Sequence, residues 1–92
     1  MIADLKKRAV HRSRILQGQM KGLEKMIEKE EYCIDILTQI LAVQRSLGSL
    51  NKLVLENHLR THVKEQMKSP SHQEKAIQEL LDLYELSKVR SK

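Results

Sequence analysis

The sequence predicts an all-α protein of three helices with a long central one, and three observations carry this prediction. Proline occurs once, at Pro70, and glycine only at Gly18, Gly22 and Gly48, so little interrupts helical patterning. Apolar residues recur at steps of three, four or seven along most of the chain, the spacing of a helix stripe rather than the alternation of a strand. The two Tyr are the only aromatic residues, which leaves Leu, Ile, Val and Met to form any core. At 92 residues the chain is one domain, 1–92, of a size at which a lone core stabilises a fold only marginally. Association with further copies is therefore expected.

The first helix is expected over Asp4 to Glu28. Leu5, Ala9, Leu16, Met20, Leu23 and Ile27 form its apolar stripe, while Lys7, His11, Arg14, Lys21 and Lys25 follow the same rhythm on the other side. Arg12 interrupts the stripe where an aliphatic residue is expected, and a cation placed there asks for an explanation. Gly18 and Gly22, four residues apart, mark close helix packing or a local bend. The run Glu28-Lys29-Glu30-Glu31 breaks the helix, and its acids suit the start of the next one.

From Tyr32 the pattern Cys33, Ile36, Leu37, Ile40, Val43, Leu47, Leu50, Val54 runs without a proline to about Met67. A single helix of roughly 35 residues, about 50 Å long, is expected here, too long to bury its seam within one protomer. Ser69-Pro70-Ser71 ends it, with Ser71 as N-cap and Glu74 completing a capping box. The third helix is expected over His72 to Lys88, with Ile77, Leu80, Leu81 and Tyr84 on it and a tail from Ser87 to Lys92.

One cysteine excludes an internal disulfide, no basic segment joins an apolar leader at the N-terminus, and no apolar run approaches a membrane span of roughly 18 residues. These features fit a soluble, cytoplasmic protein without a membrane partner. The net charge of +5 is unevenly placed. Between Met1 and Lys25, seven cations (Lys6, Lys7, Arg8, Arg12, Arg14, Lys21, Lys25) face only Asp4 and Glu24, whereas the remainder is balanced. Such concentration suits a nucleic-acid footprint, although a solvated helix face has the same composition.

His58 and His62 are spaced i, i+4, so one helix face presents both to a common ion. Cys33 precedes His58 by 25 residues and His62 by 29. At about 100° per residue all three share a face, yet about 37 Å of helix separates the thiol from the first imidazole. One straight helix cannot bring them together. Two copies packed antiparallel and crossing near Ser46 and Leu47, where Ser46, Gly48 and Ser49 are small, would align Cys33 of one with His58 and His62 of the other in two equivalent sites. A buried free cysteine with two surface histidines is the competing reading of the same residues.

Arg12, Gly18-Gln19, Gly22, Met26-Ile27, Tyr32-Cys33, Asp35-Ile36-Leu37, Gln39-Ile40, Ala42-Val43, Leu47, His58 and His62 together resemble the copper-sensitive operon repressor family, which includes nickel/cobalt and formaldehyde sensors. The resemblance covers about Lys6 to Tyr84. It implies an all-α dimer with an antiparallel intersubunit four-helix bundle, a dimer of dimers, and a homotetramer that binds operator double-stranded DNA until effector releases it. It implies metal ligation by Cys33, His58 and His62, with His62 at a position that is Cys in archetypal copper sensors. Tyr32 and Glu79 match positions that couple the site to the third helix, Glu79 only after a one-residue gap. Arg12 matches a DNA-contacting arginine, which accounts for the cation in the apolar stripe. Ile15 stands where a further basic residue is common, so Lys7, Arg8 and Arg14 complete the expected DNA contacts.

The effector is narrowed by residues that this chain does not have. Position 62 is not a second cysteine, as a persulfide sensor of the family would use; Ile2, rather than proline, follows Met1, unlike the formaldehyde sensors; and residues 1 to 10 carry no histidine, unlike the nickel/cobalt sensors. One thiolate with two imidazoles suits Cu(I), whereas Ni(II), Co(II) or Zn(II) would need further ligands. The expected function is a metal-responsive transcriptional repressor, with Cu(I) ranked above other transition metals and formaldehyde. A helical scaffold and a metal chaperone or storage protein are the rivals from other classes. An enzyme is not expected, since no activated nucleophile, carboxylate pair or cofactor loop emerges.

Overall fold

A computed structural model describes residues 1–63, 65 and 68–90, and all of its regular elements are helical: α1 (Ala3–Glu28), α2 (Cys33–His58), a π-helical turn (Leu59–Val63) and α3 (Pro70–Arg90). The chain forms two compact units, Met1–Asn57 and His58–Lys92. The predicted all-α class with three helices is the fold observed, and α2, at 26 residues, equals α1 in length.

In the first unit α1 begins one residue before the expected start. Ile2 is its N-cap, with the Ile2 carbonyl accepting from the Lys6 N–H at 2.9 Å. Leu5 and Ala9 are buried, Leu16 and Leu23 half-buried, and Met20 and Ile27 exposed, so the stripe is covered at its N-terminal end and open at the other. The helix stops in a Schellman motif. The Glu31 N–H donates to the Met26 carbonyl and the Glu30 N–H to the Ile27 carbonyl, both at 3.0 Å, with Glu30 left-handed at φ 52°. The acidic run thus breaks the helix by backbone geometry at a glutamate, where glycine is the usual occupant.

Tyr32 starts α2, its carbonyl accepting from the N–H groups of Asp35 (3.0 Å) and Ile36 (3.2 Å). The single wide apolar stripe read from the sequence is divided between two faces. Ile36, Gln39, Val43, Ser46, Leu50, Leu53 and Asn57, at steps of three and four, form the stripe withdrawn from solvent, flanked by the half-buried Ile40, Ala42 and Glu56. Ile34, Leu37, Leu41, Leu47, Val54 and Leu55 stay exposed on a second face. Ser46 is therefore buried inside the protomer, whereas Gly48 and Ser49, near the expected crossing point, stay exposed. Between α1 and α2 the Gln39 side-chain amide donates to the Gln19 carbonyl at 3.1 Å. Gly22 lies beside this contact, a Cβ there meeting Gln39 Nε2 at 3.6 Å, while Gly18 faces nothing within 4 Å. A Cβ at Gly22 would thus be in ordinary van der Waals contact, and packing within the protomer requires glycine at neither position.

Two expectations change in the second unit. The long helix does not continue in α geometry to Met67, which lies outside the described residues; it passes into a π-helical turn after His58. Such turns close i→i+5 hydrogen bonds and take up an extra residue, a change that apolar periodicity does not register. The cap of α3 is Ser69 rather than Ser71. Ser69 Oγ accepts from the His72 N–H at 3.4 Å and its carbonyl from the Gln73 N–H at 2.9 Å. Pro70 then occupies the first helical position, where its fixed φ and missing N–H cost nothing, and this places Ser71 and Glu74 inside the helix. The helix reaches Arg90, past the expected Lys88, and Ser91 and Lys92 of the expected tail lie outside the described residues. No helix among the described residues is long and apolar enough to cross a membrane.

Candidate metal centre and nucleic-acid interface

Each expected ligand sits at an end of a helical segment. Cys33 is the first residue of α2, exposed and with a free thiol. His58 is the last residue of α2 and half-buried, and His62 lies exposed in the π-helical turn. The two imidazole rings lie with centroids 5.5 Å apart and planes inclined at 35°. Two nitrogens bound to one ion at about 2.1 Å are at most about 4 Å apart, a separation on the scale of the spacing between these rings. The turn between them is wider than the α geometry assumed from the sequence, yet the rings remain neighbours.

Because α2 runs unbroken from Cys33 to His58, helix geometry keeps the thiol about 37 Å from the first imidazole. Among the described residues no three His, Cys, Asp or Glu side chains of one protomer gather as a metal site. The donor set of one sulfur and two nitrogens suits a soft or borderline ion, but a single chain does not assemble it. The face that Cys33 shares with His58 carries Leu37, Leu47, Val54 and Leu55, all within about 60° of Cys33 around the axis and 38 to 54% exposed. An apolar strip of this kind, with a thiol at one end and an imidazole at the other, is suited to a second copy.

Tyr32 precedes Cys33, with its ring largely exposed and its carbonyl starting α2; Glu79 is an exposed residue of α3. The expected coupling pair is thus distributed over the two units, one residue beside the thiol and one on the third helix.

The expected DNA contacts divide between two surfaces of the first unit. Lys7, Arg8 and Arg12 line an open cleft between α1 and α2 together with Asp4, His11, Ser49, Lys52, Leu53 and Glu56. Arg14 instead borders a shallower groove with Lys6, Lys7, Val10 and His11. Arg12 is half-buried, as its place in the apolar stripe leads one to expect, and it lines the cleft between α1 and α2. Arg8 also pairs with Asp4 at 3.8 Å, an exposed contact that holds it only weakly. Lys52, Ser49 and His11 were not among the expected contacts. A signal for the α2 residues exists in the sequence: Arg45, Ser49, Lys52 and Glu56 form a polar stripe at steps of four, three and four.

The pattern describing metal-sensitive transcriptional repressors matches residues 5–85, nearly the whole of the helical framework. The chain belongs to this family. It is 38% identical over 77 residues to the copper-sensing transcriptional repressor CsoR of Mycobacterium tuberculosis (strain ATCC 25618 / H37Rv), covering 84% of this chain and 64% of that protein. It is equally similar, over 79 residues, to the copper-sensing transcriptional repressor CsoR of Bacillus subtilis (strain 168), covering 86% and 77% of the two chains. The chain thus spans less than two thirds of the mycobacterial relative's length. Its fold matches the crystal structure of the copper-sensing repressor CsoR with Cu(I) from Geobacillus thermodenitrificans NG80-2 with a TM-score of 0.80 at 30% identity, covering 94% of this chain and 88% of that one. The resemblance read from individual residues and the family match therefore agree.

Proposed function

We propose that this chain is a cytoplasmic, Cu(I)-responsive transcriptional repressor, not an enzyme, that acts as a homotetramer built from antiparallel dimers. In the metal-free form it binds operator double-stranded DNA. Cys33 of one protomer, with His58 and His62 of its partner, takes up the metal, and the DNA is released. The observation that carries this reading is the pair of neighbouring imidazoles at one end of a helix whose other end begins with an exposed thiol, joined by an exposed apolar strip. Membership of the family and the copper-sensing relatives support it.

Cu(I), when bound, supplies bonds that tie the start of one α2 to the end of its partner's. Within the chain, Leu37, Leu47, Val54 and Leu55 set the antiparallel register, Tyr32 and Glu79 transmit the state of the site toward α3, and Lys7, Arg8, Arg12 and Arg14 hold phosphates. Linkage requires that DNA weaken metal binding by the factor by which metal weakens DNA binding. Protons compete for the imidazole nitrogens and for the thiolate, so metal affinity falls as the pH is lowered. His62 in place of a second thiolate softens the preference for Cu(I), which keeps Ni(II), Co(II) and Zn(II) as the alternative effectors.

The test is fluorescence anisotropy of labelled upstream DNA, titrated with the apo protein and then with Cu(I), Ni(II), Co(II), Zn(II) and formaldehyde. Cu(I) is expected to release the DNA, and Cys33→Ala to bind DNA without responding. Release by another metal or by formaldehyde reassigns the effector. Metal binding without specific DNA binding points to a chaperone or store, and unchanged metal binding in Cys33→Ala to a scaffold whose site lies elsewhere.

A further inference from the structure

The N-terminus of α1 lacks the usual means of satisfying its own backbone. Ile2, the N-cap, has no side-chain acceptor for the first-turn amides. The third helical position, where a Glu or Gln would reach back to the N-cap amide, is the buried Leu5. The Ile2 N–H is instead accepted at 2.9 Å by Asn57 Oδ1, 55 residues away on the last turn of α2. Asn57 is 7% exposed and is one of only two buried polar residues among those described. An acceptor withdrawn from water in this way is held in a defined orientation, and removing it leaves the Ile2 N–H, on a residue 36% exposed, to solvent.

Three consecutive residues of α2 thus have separate roles. Glu56 borders the cationic cleft with Lys7, Arg8 and Arg12, Asn57 caps the helix that carries those cations, and His58 is the central imidazole of the proposed site. While the last turn of α2 stays helical its backbone fixes the three relative to one another, so a rigid movement of that turn moves all of them. We propose that Asn57 is the positioning residue through which ligation of His58 acts on the DNA-contacting helix: its amide side chain completes the N-cap of α1, and a shift of the last turn of α2 loosens or re-aims that cap. This rests on the proposed function for the roles of His58 and α1. The bond itself is a feature of the metal-free protein and can be tested there.

The experiment compares wild type with Asn57→Leu, of similar size but without an acceptor, and Asn57→Asp, which keeps an acceptor beside the positive end of α1. Asn57→Ser, whose hydroxyl is too short to reach, replaces the leucine variant if that does not fold. In the apo protein, amide exchange by NMR is expected to show the Ile2 N–H protected in wild type and Asn57→Asp, and to speed up at least about tenfold in Asn57→Leu. In the DNA titration, the ratio of apo to Cu(I)-loaded affinity is expected to collapse by at least about tenfold in Asn57→Leu. Cu(I) affinity of the free protein should stay within about twofold of wild type, and Asn57→Asp should restore the ratio. A ratio unchanged in Asn57→Leu, or lost equally in Asn57→Asp, overturns the proposal. A wild-type protein with no metal-dependent change in DNA affinity overturns both this inference and the proposed function, and is distinguished by failing before any substitution is made.

Discussion

Replacing Leu47 tests the intersubunit site at its geometric centre. Leu47 lies about midway between Cys33 and His62, so in an antiparallel pair it sits close to the two-fold axis and near its own copy. It is 52% exposed in the protomer. Full burial of a leucine side chain contributes about 1.5–3 kcal/mol, so covering the exposed half contributes about 1 kcal/mol, and symmetry doubles this to about 2 kcal/mol per dimer. Leu47→Ala is therefore expected to raise the dimer dissociation constant about 30-fold. Leu47→Asp would add two neighbouring carboxylates, a like-charge contact that costs several kcal/mol, and is expected to give monomers at micromolar concentration. Sedimentation equilibrium measures association, and competition with a Cu(I) chelator measures metal affinity in the same samples. Both should fall together, because one protomer cannot bring its own Cys33 to its own histidines. A monomeric Leu47→Asp protein that binds Cu(I) as tightly as wild type through Cys33 would refute the antiparallel arrangement, whatever its effect on association.

The other predictions concern the cleft and the two helix ends. Arg12→Ala should weaken DNA binding across sequences and reduce the slope of log affinity against log salt by about one for each protomer that uses this contact, measured by anisotropy between low and physiological salt. An unchanged slope would remove Arg12 from the phosphate contacts. Glu30→Gly should raise stability by about 1 kcal/mol in urea titrations, since glycine adopts the left-handed C′ conformation without the Cβ clash that glutamate bears there. Ser69→Ala should cost about 1 kcal/mol and Ser71→Ala far less, and the opposite order would return the N-cap of α3 to Ser71.

How much was legible in the sequence depended on whether the signal was local. The stripe of α1 and the acidic run after it located that helix to within one residue, because periodicity and helix stop are both properties of neighbouring side chains. The histidine pair was legible for the same reason. The π-helical turn was not: an i→i+5 turn leaves the apolar pattern almost unaltered while changing the backbone hydrogen bonding between His58 and His62. Nor was the division of α2 into two faces, since a stripe wide enough to serve two partners reads as one wide stripe until α1 is laid against it. Ser71 and Ser69 both flank Pro70, and the preference of proline for the first helical position decides between them. Lys52 and Asn57 acquire their places only by meeting α1 across more than forty residues of chain, a juxtaposition that local pattern does not encode.

The described interior is small: Leu5, Ala9 and Ala76 are its buried apolar residues, and no large side chain is completely enclosed. If the protomers associate as proposed, much of the subunit's stability comes from its partner, and its survival then follows mass action. At low copy number a newly made chain would unfold or be degraded before meeting another, and above a threshold it would persist. Repressor dosage would then rise more steeply than synthesis, and the promoter would receive a sharper boundary between absence and presence than any single binding constant provides.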